Sequence, residues 1–354
     1  MLTKPSIAQP FKSFLINPSW LIASALPDEL YPCATSSTGT KSPAAYKITL
    51  IVHPSAVRVS YSTVSTTVPA LLSTLDPDFV LHIGMAGGRD CYSLETRAHR
   101  DNYRIKDVDD ADGLTCGEQR WRRENVPDVL YVGWEEGDVL RRWEEGVNRG
   151  LAERGFLGKA EMDSTQTQNG RSPEPDARSV LGLPRTHGHG PVHLMWGTSN
   201  VPASATKADE HRRKAVVKLS ADAGRFLCEY ALFESLSRRW LDARGAEEDQ
   251  DRSPAVAEAA MGASASASAS ASAIAQRGEL ARERLGKVAF LHVPGWTGVE
   301  DINRGVMVAE EAIRALVGSW EDGYRRNGRV EVAAKAYTKQ HSEDKGKVAA
   351  NWKA

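Results

Sequence analysis

Cysteine is scarce in this chain. Its 354 residues hold four (Cys33, Cys91, Cys116, Cys228), too few and too scattered for a disulfide framework. No two share metal-ligand spacing, and a reducing, cytoplasmic setting is the expectation that follows. Long apolar runs are missing too: nothing approaches the roughly 18 consecutive residues that a membrane-spanning helix needs. Charge of one sign is also absent. The 46 acidic residues nearly cancel the 45 basic ones, which excludes a general binder of nucleic acid or membrane surfaces. The apolar stretch from Trp20 to Leu26, behind Lys4 and Lys12, is short, follows Asn17-Pro18 and lacks a small-residue cleavage site. It does not read as a secretion signal.

What is present alternates between two periodicities. Tyr46 to Val52 reads as a strand, and Val64, Val68, Leu71, Leu72 and Leu75 then recur on one face of a helix. Phe79 to Ile83 is a second strand, ending in the glycine-rich turn Gly84-Met-Ala-Gly-Gly88. Val129 to Val132 reads as a third, followed by a charged helix around Asp138 to Arg154. Ala215 to Leu219 and Val288 to Val293 complete the set. A last helix has the apolar face Ile302, Val306, Ala309, Ile313, Leu316. Buried strands separated by amphipathic helices predict an α/β domain: an open, twisted, mostly parallel sheet with helices on both faces.

Two stretches depart from this pattern inside what reads as one domain. Residues 157–213 are rich in Gly, Pro, Ser, Thr and charge, and read as a disordered insertion. Residues 243–281 contain an acidic patch and then alternating Ala and Ser from Ala263 to Ala273, a low-complexity insertion with little apolar surface to offset its ordering entropy. The helix propensity of alanine leaves a fluctuating helix open there. Residues 325–354 read as a flexible tail.

Cys228 stands in Ser220-Ala-Asp-Ala-Gly-Arg-Phe-Leu-Cys-Glu-Tyr230, between the strand ending at Leu219 and a helical pattern from Phe226 to Leu241. A cysteine at a helix N-terminus meets free backbone N–H groups and the positive end of the dipole, both of which favour its thiolate. A thiol nucleophile also needs a base, a group orienting that base, and donors for an oxyanion. His292, in Val288-Ala-Phe-Leu-His-Val-Pro294, and Glu95, in Ser93-Leu-Glu95 beyond the glycine turn, are of the types that supply the first two.

Taken in order, these segments resemble the pyroglutamyl-peptidase I family, cysteine omega-peptidases that remove N-terminal pyroglutamate. The nucleophile segment around Cys228 is similar to the family's, as are Phe290-Leu-His-Val-Pro294 and His82-Ile-Gly-Met-Ala-Gly-Gly88 with Leu94-Glu95. Pro10-Phe11 and Asn17-Pro18-Ser19 resemble its N-terminal elements. The resemblance implies Cys228 as nucleophile forming a thioester acyl-enzyme, His292 as base and acid, and Glu95 as the group orienting His292. It also implies Phe11 as a wall of the ring pocket, with Met85 at its flank where bacterial members often carry glutamine. No cofactor is implied. The partners implied are peptides with N-terminal pyroglutamate, and multimers are common among bacterial relatives, so a homo-oligomer stays open.

The chain departs from the family near its start. Met1 to Ala8 contains a proline and no clear apolar run where the first strand belongs, and Ile7 and Ala8 replace a Gly-Phe pair. A silent relative binding peptides or a partner protein in the same groove is therefore the alternative. Two other constellations carry less. His187-Gly-His-Gly-Pro-Val-His193 has metal-like spacing but no carboxylate or cysteine beside it, and reads as a solvated loop. The acidic run Asp107 to Asp112 reads as a charged loop.

Overall fold

The structure, a computed structural model, describes residues 2–4, 6–7, 17–32, 46–156, 207–259 and 266–324. Phe11, Cys33, the histidines at 187, 189 and 193, most of the 157–213 insertion and the 325–354 tail lie outside these residues.

The heart of the fold is built from the two most continuously apolar runs in the chain. Strands β5 (Phe79–Met85) and β10 (Val288–Val293) pair in parallel, with His292 opposite Gly84, and all but Met85 of their residues are buried. Strands buried on both faces need no polar alternation, which is why they read as unbroken hydrophobic runs. On one side of β5 come β1 (Leu2–Lys4), β4 (Ile48–Val52) and, antiparallel at the edge, β3 (Glu29–Leu30). A two-residue strand, β2 (Ser6–Ile7), also joins β5. On the other side of β10 lies β6 (Tyr92–Glu95), antiparallel to it, and then β9 (Val217–Ser220), parallel to β6. The sheet is open and mostly parallel, in the order β3-β4-β1-β5-β10-β6-β9.

Helices cover both faces. On one lie α1 (Pro18–Ser24), α4 (Glu136–Glu153) and α8 (Val299–Ser319), packed over Phe79, Leu81 and Ile83 of β5 and Ala289, Leu291 and Val293 of β10. The α4 helix buries Val139, Trp143, Val147 and Leu151, spaced every four residues, and exposes its charges. On the other face α2 (Tyr61–Leu75), the short α3 (Gln119–Arg123) and α6 (Leu227–Ala259) enclose Val288, Phe290 and a cluster of aromatic rings. Among the described residues no helix is long and apolar enough to cross a membrane.

Three expectations are corrected here. Val129–Tyr131 forms β8, but it lies off the main sheet, paired antiparallel with β7 (Arg97–His99). A three-residue strand carries no periodicity from which its partner can be read. The N-terminal residues, lacking any clear apolar run, nevertheless supply β1 between β4 and β5, with Leu2 opposite both Leu50 and Phe79. Finally, the 243–281 stretch is largely helical: α6 continues to Ala259, and α7 (Ser266–Leu285) returns alongside it. Alanine's propensity and the anchoring of Leu285 in the core favour helix over coil there. The insertion before β9 likewise ends in a short helix, α5 (Lys207–Arg213).

Candidate active site

The alternation of β5 and β10 decides which side chains share the face beneath α6. Leu81, Ile83, Leu291 and Val293 point to the opposite core, so His82, Gly84, Phe290 and His292 face α6. Cys228 is the second residue of that helix, which places its sulfur over the ends of these strands. Gly84 makes the approach possible. A Cβ built there would lie 2.6 Å from Phe290 Cζ and 3.1 Å from Cys228 Sγ, so only a residue without a side chain fits between ring and sulfur. His292 is the strand partner of Gly84, and its ring centroid lies 4.7 Å from that of Phe290. Thiol, phenyl ring and imidazole thus share one layer.

Glu95, the last residue of β6, comes to the same layer from the other side of β10. Its Oε1 accepts a 2.7 Å hydrogen bond from His292 Nδ1, and both groups are buried. A carboxylate only accepts, so Nδ1 carries the hydrogen and Nε2 keeps its lone pair. Arg89, from the glycine turn, donates through Nη1 to the same Oε1 at 2.6 Å and through Nη2 to the carbonyl of Asp222 at 2.6 Å. Burial pushes the Glu95 carboxyl up, but the His292 bond and the Arg89 charge outweigh it and hold the group below its ordinary value. Burial also dominates at His292, leaving it below 6.5 despite the opposing pull of Glu95. With both groups below their ordinary values, the pair at neutral pH is an ionised carboxylate with a neutral imidazole.

The thiol departs from expectation. Cys228 is half-buried, and its pKa is pushed up to about 12, first by burial and then by the nearby Glu95 charge. Desolvation and a neighbouring carboxylate outweigh the helix N-terminus, which alone would favour the thiolate. Among the described residues no hydrogen bond joins Cys228 to His292. Burial thus favours the neutral form of both thiol and imidazole.

One group here, Arg89, lies beyond the reach of the motifs, and a second, Glu229, stands within the nucleophile segment. Arg89 has no signature apart from following Gly-Gly. Glu229, fully buried next to Cys228, takes both carboxylate oxygens to Arg225 Nη1 at 2.7 Å and accepts from the backbone N–H and Nδ1 of His99 at 3.0 and 2.6 Å. Their i, i+4 spacing makes the Arg225–Glu229 pair legible in a sequence; His99 on β7 is not. Between Asp222 and Leu227 the chain turns through Gly224 at φ +79°, a left-handed conformation suited to glycine. Met85 ends β5 half-buried, and by alternation it lies on the face opposite Gly84. Cys91 is buried and free, and Cys116 is half-buried and free. Asp107 is occupied by its own surroundings: it accepts from the backbone N–H groups of Tyr61, Asp109 and Ala111.

No family model matches the chain, and no curated protein matches it. Among solved structures it is similar to the pyrrolidone carboxyl peptidase from Thermococcus litoralis, at 12% identity and TM-score 0.45, covering 91% of this chain and 94% of that one. It is also similar to a mutant pyrrolidone carboxyl peptidase from Pyrococcus furiosus, at 14% identity and TM-score 0.41, covering 90% and 97%. A third similar structure is the pyrrolidone carboxyl peptidase from Thermus thermophilus, at 16% identity and TM-score 0.41, covering 90% and 98%.

Proposed function

We propose that the chain is a cysteine exopeptidase that hydrolyses the bond following an N-terminal pyroglutamyl residue. The observation that carries this reading is the Glu95–His292 hydrogen bond of 2.7 Å lying in the same layer as the Cys228 sulfur over Gly84. The resemblance of the three segments bearing these residues to the pyroglutamyl-peptidase I pattern supports the substrate class.

With thiol and imidazole both neutral at rest, the chemistry is general-base catalysis, with no preformed ion pair. His292 Nε2 takes the thiol proton as Sγ attacks the scissile carbonyl carbon. The tetrahedral oxyanion is met by free N–H groups at the start of α6 or in the glycine turn. The imidazolium, stabilised by Glu95, then protonates the departing amine, and the C–N bond breaks to leave a thioester on Cys228. Water, deprotonated by His292, cleaves the thioester and releases pyroglutamate and the thiol.

The test is release of fluorophore from pyroglutamyl-aminomethylcoumarin under reducing conditions. Turnover that disappears in Cys228→Ala and His292→Ala is the expected result; no turnover by the purified full chain counts against the reading. The absence, among the described residues, of a hydrogen bond between Cys228 and His292 favours a second reading, a silent or weakened relative that binds such peptides or a protein partner in the same groove. It predicts saturable peptide binding with no fluorophore released.

A further inference from the structure

A cavity of about 410 Å³ opens between α6 and α7, away from the cysteine site. Three arginines line it, Arg239 from α6 and Arg277 and Arg284 from α7, against one carboxylate, Asp242. Arg239 is the unusual member. Only 4% of it is exposed, its Nη2 donates to the carbonyl of Pro77 at 2.7 Å, and its Nε has no partner. Among the described residues no carboxylate lies within ion-pair distance of it. Burial first and then the neighbouring Arg284 pull its pKa below the ordinary value, against the opposing charges of Asp242, Asp76 and Asp78. Arg284 is paired with the exposed Asp76, Nη2 to Oδ2 at 2.7 Å, while Arg277 is exposed. Leu241 and Leu280 add apolar wall, and Leu280 is among the exposed large hydrophobic residues.

We propose that this cavity binds a small organic oxyanion, a carboxylate or phosphate group on a short apolar body, held by Arg239, Arg277 and Arg284. Guanidinium forks match the two oxygens of either head group, and a bound oxyanion gives the buried Arg239 an acceptor for its unpartnered Nε. The leucines receive the body. The position has a consequence for the rest of the molecule. Arg239 lies about three turns along the helix that begins beside Cys228. Arg284 lies in the last turn of α7, which leads directly into the strand bearing His292. A bound anion would clip together the two elements that present thiol and imidazole. That consequence rests on the peptidase reading; the binding itself does not.

Calorimetry and thermal denaturation of the full chain with phenyl phosphate and with benzoate, at constant ionic strength in chloride, test the site. Saturable one-site binding and a raised Tm are expected. Arg277→Glu, on an exposed position, should weaken binding about tenfold or more, Arg277→Lys should weaken it less, and Ala281→Trp should fill the cavity and abolish binding. Binding of only one of the two probes still supports the site and identifies its head group. Absence of saturable binding to both probes, or undiminished binding in Arg277→Glu, overturns the proposal. Because the readout is binding, either result stands whether or not the chain cleaves peptides.

Discussion

Glu95 does two opposing things to its neighbours, and one substitution separates them. Its charge raises the affinity of His292 for a proton, and it also raises the pKa of the Cys228 thiol. Glu95→Gln keeps the shape and removes the charge. We expect kcat on pyroglutamyl-aminomethylcoumarin to fall about a hundredfold or more, because the imidazolium loses its stabilising partner. The acidic limb of kcat/KM, which reports the neutral base, should move to lower pH as His292 becomes harder to protonate. Alkylation of Cys228 by iodoacetamide should become faster, because the thiol pKa drops. A surface carboxylate with no part in the site would leave both the profile and the alkylation rate unmoved. At this scale the sequence singles out Cys228, His292 and Glu95 as candidates, since each stands in a motif, and the fold joins His292 to Glu95 by a hydrogen bond. It does not reach Arg89 or His99, whose roles depend on hydrogen bonds formed only when distant segments meet. The thiol pKa runs opposite to the sequence expectation for a related reason. A helix N-terminus is visible in a sequence, whereas the depth of a sulfur and the carboxylates around it are not.

Between elements, the tightest constraint is the approach of α6 to the β5–β10 pair at Gly84. Gly84→Ala would place a methyl group 2.6 Å from Phe290 Cζ, forcing ring or helix to shift. We expect a loss of about 1–3 kcal/mol in chemical denaturation and a larger proportional loss of activity, since the displaced helix carries Cys228. Stability loss with unchanged turnover would show that the sulfur does not work from this position. The long elements are legible: α2, α4 and α8 because burial on one face imposes a period, and β5 and β10 because burial on both faces leaves an unbroken apolar run. The brief ones are not. Nothing local in Leu2–Lys4 states that it lies beside β5, and nothing in Val129–Tyr131 states that its partner is β7. Alanine and serine repeats conceal a helix for the converse reason: helix formation there depends on backbone propensity and a neighbouring helix, without a hydrophobic stripe to announce it.

Among the described residues two histidines are buried with lowered pKa values, and the acid stability of the whole molecule should reflect both. His82 is fully enclosed, with Nε2 at 2.7 Å from Ser235 Oγ and Nδ1 unpartnered, and burial lowers its pKa to about 3. His292 is lowered as well. In the unfolded chain both titrate near 6.5. The contribution of His82 is therefore fully present above that pH and is lost as the pH falls towards 3, and that of His292 is lost in the same direction, because the unfolded chain binds protons that the folded one refuses. Urea denaturation should show stability declining below pH 6.5, with each histidine contributing a slope of at most about 1.4 kcal/mol per pH unit. His82→Asn should flatten the decline at some cost in overall stability; an unchanged slope would mean that His82 is not the group titrating.

Among the described strands, one that lies inside the sheet is also the last to be made. β10 begins at Val288, yet it lies between β5 and β6, whose residues are translated some two hundred positions earlier. Until the ribosome has released residue 293, the nascent chain holds a sheet split in two, each half with an unsatisfied edge ready to pair with a stranger. The same late segment carries His292, so a truncated or stalled product holds Cys228 and Glu95 without that imidazole.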